Sequence, residues 1–133
     1  MSPRVALKIL LSIVFALIIF HLCILLKIIP YEITWGGRLT NDTEMYVFET
    51  VSLLINLYLG FILLIRGKFI RQYLASSIVN ISLWVFFALF VLNTVGNMLA
   101  KTNFEKSFAL VTLMLSLLIW VILRSKKSKY ASI

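Results

Sequence analysis

Charge is scarce in this sequence, and acid is its scarcest part: 14% of the 133 residues are charged, five as Asp or Glu and thirteen as Lys or Arg. A water-soluble domain carries about 25% charged and about 45–50% apolar residues. Here 62% are hydrophobic, and a chain this short leaves too much surface exposed to hide that excess in a core. A soluble globular fold is excluded, and lipid is implied as the solvent. Cysteine is almost missing as well. The single Cys23 rules out an intramolecular disulfide, a CxxC redox pair and any Cys/His ligand spacing; within an apolar run it reads as a small filler. The sequence has no nucleophile–base motif, no internal repeat and no low-complexity segment. No cofactor and no metal site is expected.

What the sequence does have is long apolar runs. A helix needs about 20 apolar residues, at 1.5 Å rise each, to cross the hydrocarbon core. Four stretches qualify, over residues 9–29, 45–65, 74–100 and 107–123. The first is too long for the core of a secretory signal and lacks a small-x-small cleavage site, so it reads as an uncleaved span. Short connections make neighbouring helices antiparallel. The predicted fold is all-α: one integral-membrane four-helix bundle over 1–133, up-down-up-down, with a short structured outer loop between helices 1 and 2. The two helical pairs do not resemble one another, which argues against an inverted-repeat transporter.

Basic residues mark the cytoplasmic side of short loops. Arg4 and Lys8, then Arg66, Lys68 and Arg71, then Arg124, Lys126, Lys127 and Lys129 all fall on one side, nine of the thirteen cations. Lys27, Arg38, Lys101 and Lys106 fall on the other, with all five acids. The sequence therefore predicts a multi-pass protein of the plasma membrane with both ends cytoplasmic. The net charge of +8 is a topology signal that suits anionic lipid headgroups, at roughly 1 kcal/mol per cation, and not a nucleic-acid surface. Expected partners are membrane lipids and, beyond them, a second copy or a larger membrane protein.

Local signals mark the helix ends. Asn41-Asp-Thr-Glu44 reads as a capping box opening the second helix, and Gly67 lies in the basic turn after it. The outer loop Pro30-Tyr-Glu-Ile-Thr-Trp-Gly-Gly-Arg-Leu-Thr40 alternates aromatic and polar residues before a Gly pair that permits a sharp turn. It is expected either to cap the helix ends as a small lid or to anchor at the interface through Trp35. Asn41-Asp-Thr43 also matches a glycosylation acceptor, a motif common by chance.

The remaining signal is polarity inside the spans. An ionisable side chain at the membrane centre costs roughly 2.5–3.5 kcal/mol on insertion scales, so each one asks for a reason. Counting inward at 1.5 Å per residue places Lys27 about 3 Å deep, Glu49 and Asn97 about 5–6 Å, Asn93 about 10 Å and His21 about 12 Å. Glu49, Ser52 and Asn56 share one face of the second helix, which Gly60 continues, and Asn93, Asn97 and Lys101 share one face of the third. The candidate ligand-binding set is His21, Lys27, Trp35, Arg38, Glu49, Asn56, Asn93 and Asn97, with Glu49 at the centre and Lys27, Arg38 or His21 as its partner. In the other half, Ser76, Ser77, Asn80, Ser82, Thr112 and Ser116 read as helix–helix glue. No charge lies deep there, which speaks against a continuous ion path through one chain. Three functional classes follow: a non-enzymatic interaction or accessory subunit first, a binding or transport protein with an outward-facing pocket centred on Glu49 second, and a membrane enzyme using Glu49 and His21 on a lipid-like substrate last.

Overall fold

Ser2 opens the first helix. Its hydroxyl accepts the Val5 N–H at 3.2 Å, and Pro3 occupies the first helical position, where no N–H is needed. The computed structural model describes residues 1–31, 39–100 and 102–125, and within them the order is α1 (Pro3–Leu25), α2 (Asp42–Arg66), α3 (Ser76–Met98) and α4 (Asn103–Leu123). Each helix is long and apolar enough to cross a membrane.

At α2 the Asn41 side chain accepts the Glu44 N–H at 2.8 Å. The Glu44 carboxylate reaches back to the Asn41 amide at 3.2 Å and the Thr40 N–H at 3.3 Å. At α4 the pairing is again reciprocal: the Glu105 N–H donates to Thr102 Oγ1 at 3.1 Å, and that hydroxyl donates to Glu105 Oε1 at 2.9 Å. Ala75, before α3, supplies no side-chain cap.

Two helices stop by the same device. After α1, Lys27 takes a left-handed φ of 60°. The Ile28 N–H then bonds the Cys23 carbonyl at 2.8 Å, and the Lys27 N–H bonds that of Ile24 at 2.9 Å. This is a Schellman ending, usually built on glycine. After α2, Lys68 takes φ 60° while Gly67 next to it is right-handed. Gly67 is needed there for space: a methyl group on its Cα would run into Leu7 and Phe69. The helix bounds differ from the apolar runs for these reasons. Arg4 and Lys8 do not interrupt α1, and the Lys27 turn ends it before the apolar pair Ile28-Ile29 is reached.

Around the bundle α1 packs on α2, α1 on α4, and α3 on α4, while the α2–α3 seam is the most sparsely packed of the four. The first turn of α1, the last turns of α2 and α4 and the start of α3 meet at one end, here called the basic end. Arg4 donates to the Gly67 carbonyl at 2.5 Å and lies 4.2 Å from the centre of the Phe69 ring. Arg66 donates to the Asn80 side chain and, at 3.1 Å, to the Ile122 carbonyl. From there toward mid-bundle runs a continuous apolar core that includes Leu7, Leu10, Leu59, Ile62, Leu63, Leu83, Leu115 and Ile119. Gly60 faces Val14 at ordinary contact distance, so this pair does not depend on glycine. A smaller cluster of Ile24, Leu39 and Met45 closes the opposite end, where α1 gives way to α2.

Candidate functional site

Between the main core and that small cluster the four helices do not close. A cleft of about 350 Å³ remains, lined by every one of them, at the lower end of the roughly 300–1,000 Å³ of small-molecule sites. Its walls are aromatic. Phe20 of α1 stacks with Phe104 of α4 at 6.3 Å between ring centres and meets Phe108 at 5.2 Å with the rings tilted, and Phe86 and Phe90 of α3 stack at 6.1 Å. Leu17, Ile55, Leu89, Val111 and Leu115 fill the gaps.

The polar groups gather toward one end. Glu49 is fully buried (0% exposed), and its Oε2 lies 2.5 Å from His21 Nδ1, whose side chain is 15% exposed. With Glu49 ionised, Nδ1 carries the hydrogen and donates it, which fixes the ring and turns Nε2 toward other partners. The edge of the Phe20 ring, 5.6 Å away, restrains the imidazole further. One turn along α2, Ser52 lines the cleft; next comes Asn56, whose amide donates to the Ser52 carbonyl at 2.9 Å. Asn93 and Asn97 face them from α3. The α3–α4 wall is stapled by a 2.8 Å hydrogen bond between the Thr94 and Thr112 hydroxyls.

Of the eight residues proposed from the sequence, His21, Glu49, Asn56, Asn93 and Asn97 line this cleft. Lys27 does not: from the left-handed turn that ends α1 it pairs with Asp42 at 2.5 Å on the exposed surface. Trp35 and Arg38 lie outside the described residues, as do Lys101 and most of the Trp-Gly-Gly loop.

Two features were missed by sequence reasoning. Glu105, only 6% exposed, is a second carboxylate of the lining. Its pairing with Thr102 disguises it as a helix cap, although Glu105, Phe108, Thr112 and Leu115 recur at three and four residues and all line the cleft. The aromatic wall was missed too. Phe86/Phe90 and Phe104/Phe108 are each four apart, a spacing that also describes ordinary core.

The described His, Cys, Asp and Glu residues do not gather in threes as metal ligands do. No known protein family, no curated protein and no solved structure matches this chain. The cleft is therefore the basis for a functional reading.

Proposed function

We propose that the chain is a membrane-embedded binding protein that holds a small molecule in the cleft, with the His21–Glu49 pair contacting the ligand's polar group. The single observation behind this reading is a fully buried carboxylate hydrogen-bonded to an imidazole on the wall of a 350 Å³ cleft. Four apolar helices of spanning length support insertion as an up-down-up-down bundle. The distribution of Lys and Arg supports a cytoplasmic basic end.

Pure scaffolding gives a poor account of the pair. Burying an ionisable couple between helices costs more than packing hydrophobes of the same volume there. A scaffold would also fill the adjoining space, since protein interiors pack to crystal-like density. In the cleft, Nε2 of His21 accepts a hydrogen bond when the ring is neutral and donates one when it is charged. The Asn amides do both. That combination binds a polar group and does not by itself constitute reaction chemistry.

The test is native mass spectrometry of the protein released gently from its own membrane. A constant small-molecule adduct is expected on the native chain, with at least about a tenfold loss in Glu49→Gln, equivalent to about 1.4 kcal/mol. Circular dichroism should show helix content unchanged in that variant. A bare native chain overturns the reading. A chain that instead carries another polypeptide at fixed stoichiometry puts the accessory-subunit role in its place.

A further inference from the structure

At the basic end, the turn between α2 and α3 leaves a second, smaller hollow, a notch of about 40 Å³. Its apolar lining is Ile65 and Val79, both buried. Its polar lining is Arg66 and Lys68 at the end of α2, with Gln72, Ser76 and Asn80 leading into α3. Several of these groups are already set in place. Arg66 is held by the Asn80 side chain and, at 3.1 Å, by the Ile122 carbonyl. Asn80 gives Arg66 its oxygen, which keeps its NH2 group as a donor. Gln72 donates to the Ser76 hydroxyl at 2.9 Å. Lys68, on the left-handed position after α2, is exposed.

No Asp or Glu of the chain stands at this end. The sequence has none before Glu32, between Glu49 and Glu105, or after Glu105. Asp42 and Glu44 open α2, Glu105 opens α4, and Glu49 lines the cleft, all toward the opposite end. Glu32 is bonded to Tyr31, about 3.8 Å away along the backbone, and Tyr31 packs in the small cluster at that same opposite end. The counter-charge for Arg66 and Lys68 therefore comes from outside the chain. The notch is too small for a whole molecule and takes a group of a few atoms. A phosphodiester, flanked on both sides by its alcohols, does not enter. A terminal phosphate does, and it carries about −1.5 to −2 charge at pH 7. The 25 residues of α2 span about 37 Å, longer than the roughly 30 Å hydrocarbon core. A membrane-crossing α2 thus brings Arg66 to the level of lipid headgroups. Phe69, Tyr73 and Ile78, next to the notch residues in the chain, are exposed and suit a lipid neighbour.

We infer that the notch binds the terminal phosphate of a membrane lipid, a phosphomonoester head of the kind carried by phosphatidic acid. Arg66 and Lys68 neutralise the phosphate, and the Asn80 amide donates to it. The acyl chains stay in the bilayer beside the α2–α3 turn. This site lies at the other end of the bundle from the cleft and does not depend on what the cleft holds.

The test uses the full chain in phosphatidylcholine nanodiscs doped with equal fractions of phosphatidic acid and phosphatidylglycerol, a monoester and a diester. Native mass spectrometry reads which lipid stays bound. Phosphatidic acid should be retained at least about tenfold over phosphatidylglycerol. Lys68→Gln and Gln72→Glu alter exposed side chains of the notch and should each cut that ratio several-fold at unchanged helix content. Arg124→Gln removes the same charge as Lys68→Gln from the same end but outside the notch, and should leave the ratio within about twofold. Glu49→Gln should leave it unchanged too, so the outcome is read separately from that of the cleft. Equal retention of the two lipids overturns the inference. So does an equal effect of Arg124→Gln and Lys68→Gln, the sign of a diffuse basic surface. Glycerol 3-phosphate, added to the chain in phosphatidylcholine alone, should leave no adduct. A glycerol 3-phosphate adduct that displaces phosphatidic acid makes the occupant a soluble anion and overturns the lipid assignment.

Discussion

The two halves of the bundle are built from the same helices and obey different rules. In the basic half Leu10, Leu59, Ile62, Leu83 and Ile119 belong to one continuous buried core, and Arg4 and Arg66 tie helix ends together at its rim. In the other half the helices carry more polarity and leave the cleft open. Between helices in lipid there is little hydrophobic drive, since acyl chains are as apolar as leucine; contact and hydrogen bonding hold the bundle together. Close packing is therefore the source of stability, and the half that gives it up is the half in which the proposed binding site lies. The halves differ in how helices meet more than in how apolar they are.

This comparison can be broken or sharpened by substitution, reading stability from the midpoint of unfolding in mixed detergent micelles. The largest loss is expected from Arg66→Ala, about 2–3 kcal/mol, because it removes charged hydrogen bonds to Asn80 and the Ile122 carbonyl together. A paired test comes next. Leu83→Ala in the packed half should cost about 2 kcal/mol, the lower end of the range for buried leucines because lipid replaces water as the reference. Val111→Ala in the cleft wall should cost below about 0.5 kcal/mol, since that side chain already borders open space. Equal losses at the two positions would break the distinction between the halves. The last effect is a gain. Lys68→Gly removes a left-handed strain of roughly 1–2 kcal/mol. Set against glycine's extra unfolded-state entropy of roughly 0.5–1 kcal/mol, the net is a gain of about 0.5–1 kcal/mol.

Much of this architecture is legible in the sequence because its causes are local. Apolar run length marks the helices, and the Asn41–Glu44 cap announces the start of α2. The polar stripe of Glu49, Ser52 and Asn56 follows from helical spacing and faces the cleft. The partner of Glu49 was not legible. His21, Lys27 and Arg38 were equivalent candidates, and Lys27 stands in a left-handed turn that no composition rule assigns to a lysine. The role of Gly67 was hidden for a related reason: it is set by Leu7, sixty residues away in the chain. Glu105 entered the sequence reading only as one of the five acids on the outer side, and neither that count nor its cap bond to Thr102 points into the cleft.

His21 is the only histidine in the sequence, and it stands on the wall of the cleft. Histidine-selective nitrogen labelling therefore gives a spectrum with a single imidazole, reporting from one place. Its two ring signals carry different information: Nδ1 follows the bond to Glu49, and Nε2 follows whatever occupies the space beside it. The bundle thus contains its own magnetic-resonance probe, readable in intact membranes without a tag or an engineered side chain.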